Sequence, residues 1–179
     1  MLGQHQLINA AAAVAALEIM VEHGFNITKY HIQEGLAKVN WPGRFQIIGR
    51  HPFIVIDGAH NPNSTRNLRE TIEQYLRIQK VILVIGTSMD KDYKGIVDEI
   101  SPVVEKAIAT RSKHPRALDS NKIVVEFIEH HIPVETAPDV PAALSKAIIL
   151  AGENGTICVT GSLFVVAETL ALADKFGKC

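Results

Sequence analysis

The chain has 179 residues, of which 47% are hydrophobic and 21% charged, with a net charge of −1. A domain of this size buries roughly 70% of the surface its unfolded chain exposes, so one full core, with or without an appendage, is within reach. The near-neutral, unclustered charge gives no electrostatic basis for binding nucleic acid or an anionic membrane. Two cysteines, Cys158 and Cys179, without CxxC or Cys/His ligand spacing, argue against a disulfide framework or a zinc site.

The opening stretch MLGQHQLINAAAAVAALEIM has no basic leader, and Glu18 interrupts its apolar run. It therefore reads as neither a signal peptide nor a spanning helix, and the expected location is cytoplasmic. Residues from about Gln4 to His23 predict one Ala-rich helix closed by Gly24, and Thr28 predicts the cap of a second helix reaching about Val39. The first helix is apolar nearly all round, which marks a helix covered on several sides. Residues 1–41 contain no strand to cover it, so they read as the trailing helical segment of something larger. The proline and glycine of Trp41–Arg44, WPGR, then break the pattern.

From residue 42 onward the texture alternates. Short apolar runs at Phe45–Ile48, Phe53–Ile56, Val81–Ile85, Lys106–Ala109, Val134–Thr136 and Thr156–Val159 predict strands. Helical patterns fill the later gaps, at Asn63–Ile78, Tyr93–Ile100, Asn121–His130, Val140–Ala151 and Leu163–Phe176. Strand, helix, strand in repetition predicts an α/β fold: a mostly parallel Rossmann-like sheet flanked by helices. Val81–Gly86, VILVIG, is apolar at nearly every position, as a sheet covered on both faces requires. The four residues Gly49–Pro52 are too few for a crossover, so the first two strands should form an antiparallel hairpin at the edge.

Ligands of such sheets bind beyond the carboxyl ends of the strands. Three polar segments fall there: Asp57–Pro62 (DGAHNP), Gly86–Asp92 (GTSMDKD) and Thr160–Ser162 (TGS). Each opens a helix, whose free N–H groups favour an anion. Plainer roles compete with this reading. Asp57 and Asn61 suit a turn and a helix cap, Pro62 suits a first helical position, and His60 suits a solvated loop. Asp90 and Asp92 around Lys91 suit an exposed turn, Ser162 a cap, Arg44 a surface charge, and His130–His131 a solvated helix end. There is no GxxxxGK[ST] phosphate loop, no GxGxxG and no GxSxG elbow. A nucleotide bound here would need its triphosphate cradle from elsewhere.

The segments GQHQLINAAAAVAALE, WPGRFQII, IVIDGAHNPNSTRNL, GTSMDKD and TGSLFVVAE, in this order, resemble folylpolyglutamate synthase and dihydrofolate synthase of the Mur ligase superfamily. The resemblance covers almost the whole chain, and WPGR followed a dozen residues later by DGAHNP is specific to the folate branch. It implies that residues 42–179 are the C-terminal glutamate ligase domain. It also implies that residues 1–41 are the end of an ATPase domain whose phosphate loop and magnesium ligands lie outside this chain.

The implied reaction is ATP-dependent addition of L-glutamate to folate or dihydropteroate through an acyl phosphate, with the chain inactive by itself. Carried over by motif position, Asn9, Arg44 and Asp57 are implied to contact ATP. His60 is implied to lie by the acyl phosphate and incoming glutamate, and Ser162 on the glutamate side. Magnesium is an implied cofactor, with no metal ligand expected in this chain. Two other readings stay open. One is a stand-alone module binding a small anion or a protein, which would cover its apolar helix, for instance by dimerising through it. The other is the C-terminal domain of a Mur-type ligase for a different amino acid.

Overall fold

The computed structural model describes residues 2–76 and 80–173. The predicted helix ends at Ile78 and Phe176, and Cys179, lie outside them. The chain divides into two compact units, Met1–Pro42 and Gly43–Cys179.

The first unit is a helix pair, α1 (Gln4–Glu22) and α2 (Lys29–Lys38). Thr28 begins α2 with a reciprocal cap: its hydroxyl accepts from the His31 amide at 3.3 Å, and His31 Nδ1 accepts from the Thr28 amide at 3.3 Å. No residue of α1 is buried, and Leu7, Ile8 and Ile19 stand exposed. The all-round apolar pattern of α1 thus has no matching cover among the described residues.

The second unit is an α/β sandwich. Its strands are β1 (Gln46–Arg50), β2 (Phe53–Ile56), β3 (Val81–Ile85), β4 (Val104–Ala109), β5 (Val134–Thr136) and β6 (Thr156–Thr160). Its helices are α3 (Pro62–Leu76), α4 (Tyr93–Ile100), α5 (Ser120–Glu129), α6 (Val140–Ala151) and α7 (Leu163–Leu170). The sheet order is β1-β2-β6-β3-β4-β5, with β1 antiparallel to β2 and every other pair parallel. The α/β class, the parallel sheet and the single edge hairpin are as the sequence predicts.

Several boundaries differ, among them the end of α7 at Leu170, short of the predicted helix, and two have a plain physical reason. The first strand starts at Gln46 rather than Phe45, because Phe45 adopts φ 37°, which extended pairing does not allow. β4 starts at Val104, two residues before its apolar run. The 3-10 turn Ser101–Val103 feeds straight into it, and exposed Glu105 hides the alternation.

Period-two alternation divides the core. Val55, Leu83, Ile85, Ala107 and Cys158 face α3, α4 and α5 through Leu68, Ile72, Ile96, Ile100, Ile123 and Phe127. Ile54, Ile82, Val84, Ile108, Ile157 and Val159 face α6 and α7 through Val140, Leu144, Val165 and Val166. The helix after β2 therefore lies on one face, and the helix after its neighbour β6 lies on the other. Their exits diverge between β2 and β6, which makes a topological switch point at the carboxyl edge of the sheet.

Leu83 is fully buried at the centre of β3. Leu83→Ala should therefore lower unfolding free energy by about 2–5 kcal/mol. Urea unfolding of the whole chain checks this, and a loss under about 1 kcal/mol would contradict a close-packed sheet core.

Candidate functional site

The site is built on the exit of β2, where Asp57 holds two loops together. Its Oδ2 accepts from the Phe45 amide at 2.8 Å and its Oδ1 from the Ala59 amide at 2.8 Å. A third bond, Gly58 N–H to the Gly43 carbonyl at 2.8 Å, closes the same contact. The Gly43–Phe45 stretch and the DGAH turn are thus one piece of structure. Phe45 holds its left-handed conformation because its amide is bound to Asp57 and its ring is buried. Asp57 itself is buried. Its charge adds to burial in pushing the Cys158 thiol far up, so Cys158 is an inert core residue.

Around this clamp stand the side chains singled out by motif. Arg44 is half-buried and makes no ion pair with any described residue; its Nη1 lies 3.5 Å from where a Cβ on Gly58 would sit. Any side chain at Gly58 would run into Leu163, so glycine there permits the close approach of α7. His60 is half-buried, and its Nδ1 lies 2.8 Å from the Gly58 carbonyl. A carbonyl can only accept, so in the neutral ring Nδ1 carries the proton and Nε2 keeps its lone pair. Nε2 has no hydrogen-bond partner among the described residues.

The β6 exit joins through backbone bonds. Gly161 N–H donates to the Ala59 carbonyl at 3.0 Å, and Gly86 N–H donates to the Thr160 carbonyl at 3.4 Å. Gly161 has φ 97°, and an added Cβ would lie 2.8 Å from the Gly86 carbonyl oxygen. Ser162 caps α7, accepting from the Phe164 amide at 3.1 Å. Arg44, Asp57, His60 and Ser162 therefore gather around one switch point. Asn9 belongs to the first unit, where its side chain donates to Gln6 at 3.3 Å.

The β3 exit is arranged largely by caps. Asp92 caps α4 through the Gly95 amide at 3.0 Å. Asp90 pairs with Lys91 at 2.9 Å, and that bond, with Arg116 nearby, holds its carboxyl below the usual range. A fourth exit, after β4, escapes the motif reading because it opens on no cap signature. Its residues 110–118 zip onto the β3 exit: Leu118 N–H donates to the Thr87 carbonyl at 2.8 Å, and Met89 N–H to the Arg116 carbonyl at 2.9 Å. His114 stacks on Phe164 of α7, with ring centroids 3.8 Å apart. Arg111, Lys113 and Arg116 within this loop are the signal that could have found it. Ser64 is also missed, because a serine at the third helical position carries no motif.

Among the described residues no group of three or more His, Cys, Asp or Glu could hold a metal ion, and no helix is long and apolar enough to cross a membrane.

Comparison with known proteins follows this geometry. The glutamate ligase domain of the Mur ligases matches residues 43–163. A probable bifunctional folylpolyglutamate synthase/dihydropteroate synthase of Haloferax volcanii is 36% identical over 94% of this chain and 20% of its own length. The structure of Mycobacterium tuberculosis folylpolyglutamate synthase complexed with ADP superposes with a TM-score of 0.88 at 28% identity, over 100% of this chain and 41% of that one. A bifunctional folylpolyglutamate synthase/dihydrofolate synthase with Mn, AMPPNP and L-glutamate bound gives 0.74 at 25% identity, over 89% and 38%. The chain spans 39% of one curated relative it matches and 20% of another.

Asp57→Asn replaces one acceptor oxygen by a donor and leaves a buried amide, of Phe45 or Ala59, unsatisfied. It should cost about 1–3 kcal/mol in chemical denaturation. A change below about 0.5 kcal/mol would mean that the clamp does not hold the two turns together.

Proposed function

The chain belongs to the Mur ligase family as a glutamate ligase domain of the folylpolyglutamate synthase type, and on that premise we propose that it takes part in ATP-dependent addition of L-glutamate to folate or dihydropteroate. In this reading it works with an ATPase domain that supplies the phosphate loop and the divalent metal. By itself it is inactive, and residues 1–41 are the end of that domain. The reading carries a cytoplasmic location with it.

The chemistry has two steps. The γ-phosphoryl group of ATP passes to a carboxylate of the acceptor, giving ADP and an acyl phosphate. The amino nitrogen of L-glutamate then attacks the acyl carbon, inorganic phosphate leaves, and the nitrogen gives up a proton. Both steps spread negative charge over oxygens, so the barrier falls where fixed positive groups meet that charge.

Arg44 is suited to that task, since its guanidinium is always charged and has no ion-pair partner among the described residues. His60 is suited to the proton, since Nε2 of the neutral ring is an unoccupied base. Asp57 shapes the turn that presents both groups, and in this reading it contacts the nucleotide from that turn. Ser162 can still donate its hydroxyl proton to a glutamate carboxylate while capping α7. Asn9 is carried in this reading as a further nucleotide contact. No step is assigned to a metal, for which the described residues offer no ligand set.

The observation that carries this reading is the convergence of Arg44 and His60 on Gly58: a guanidinium and an imidazole Nε2 at one strand exit, neither with a partner among the described residues. ADP release with MgATP, L-glutamate and a folate acceptor tests it, on this chain and on the protein at the length of its relatives. Activity in the long form alone is expected. Silence in both would favour a binding module, and activity with a different amino acid would favour another Mur-type ligase.

Within the active protein, His60→Ala should lower kcat by about 10²-fold or more while the KM for ATP stays within about twofold. Steady-state kinetics check this, and turnover within about twofold of wild type would remove His60 from the mechanism. Arg44→Ala should instead slow ADP formation. Unchanged ATP affinity together with unchanged acyl-phosphate formation would contradict its role.

A further inference from the structure

We propose that Ser64 is the positioning residue that fixes the direction and tautomer of the His60 ring; this rests on the reading of His60 as the proton acceptor. Ser64 sits at the third position of α3, one turn beyond His60, and its hydroxyl is fully used. Oγ accepts from the His60 amide at 3.0 Å and from the Asn61 amide at 3.2 Å, and its own proton goes to the Asn61 carbonyl at 3.0 Å. In return the Asn61 side chain accepts from the Ser64 amide at 2.8 Å. One hydroxyl therefore satisfies the two amides that precede the helix, where an ordinary cap satisfies amides inside it.

The consequence falls on His60. Among the described residues its ring is tied at one end, by Nδ1 to the Gly58 carbonyl. That bond selects the tautomer with a free Nε2 only while the chain from Gly58 to Asn61 keeps its path. The path has two anchors. Upstream is the Asp57 carboxylate on the Ala59 amide. Downstream is the Ser64 hydroxyl on the amides of His60 and Asn61. Between them they hold three consecutive amides, so the imidazole can be aimed by the backbone without a carboxylate behind it. A second carboxylate is the common way to orient a catalytic histidine; here a carbonyl with a stiffened turn does the same. Ser64 does not touch the reacting atoms in this arrangement. It acts through His60.

The test uses the full chain for structure and the active full-length protein for rate. Long-range nitrogen–proton NMR distinguishes the two ring nitrogens, and the His60 signals are those lost in His60→Ala. The wild type should show a single Nδ1-protonated tautomer. Ser64→Ala should show the two nitrogens averaging, and Ser64→Thr, which keeps the hydroxyl, should restore the wild-type pattern. In the active protein Ser64→Ala should lower kcat by about tenfold, short of the about 10²-fold that a full ångström of misplacement costs, with the KM for ATP unchanged. Ser64→Thr should recover it.

An unchanged His60 spectrum in Ser64→Ala would overturn the proposal whatever happens to thermal stability, as would averaging in Ser64→Thr. Failure of the catalytic reading shows separately, as normal turnover in His60→Ala alongside a tautomer shift in Ser64→Ala.

Discussion

The Asp57 carboxylate is the constraint on which the rest of the site depends. A buried carboxylate is costly unless its oxygens are met by donors. Here the donors are the backbone amides of Phe45 and Ala59, one from each side of the β1–β2 hairpin. The charge is thus used to join two turns, to hold Phe45 at a positive φ and to set the path of the chain into α3. Arg44 and His60 flank this clamp, and neither would have a defined direction if the two turns moved independently. An acidic residue at the end of a strand is easily read as a ligand alone; here two backbone amides of its own chain are also among its partners.

The sheet topology decides why this happens at one place. β6 lies between β2 and β3, and α3 and α7 leave their strands toward opposite faces. The exits of β2 and β6 consequently open away from each other, and glycines line the gap. Gly58 lets Leu163 approach, and Gly161 lets the backbone pass the Gly86 carbonyl. A side chain at Gly58 would push the β2 and β6 exits apart, and one at Gly161 would push the β6 and β3 exits apart. The β4 exit then braces the β3 exit through backbone bonds, so the polar edge rests on four connected loops and not on one flexible turn.

Much of this was legible in the residues. The strands were, because a sheet covered on both faces needs apolar residues at consecutive positions, and VILVI has no other economical explanation at that length. The cap roles of Thr28, Asn61 and Ser162 were, because short polar side chains before an amphipathic run have few alternatives; Asp92, which reads as an exposed turn, instead caps α4. The double amide bond of Asp57 was not. It links residues twelve apart through the backbone of one and the side chain of the other, and no local pattern records it. The hydroxyl of Ser64 and the stack of His114 on Phe164 escaped for the same reason: both depend on where a chain goes after a turn. In the first unit the pattern of α1 predicted cover on several sides, and the described residues supply none.

The central proposal is that His60, at the β2 exit, serves the second half of a two-step reaction, proton removal and amide formation, and is not needed for the first. Rapid-quench analysis of a single turnover in the full-length His60→Ala protein tests it most directly. The account predicts that ADP and an acid-labile acyl phosphate accumulate together, close to one per site, while incorporation of labelled L-glutamate stalls. Failure to form ADP, or glutamate incorporation at the wild-type rate, would contradict it.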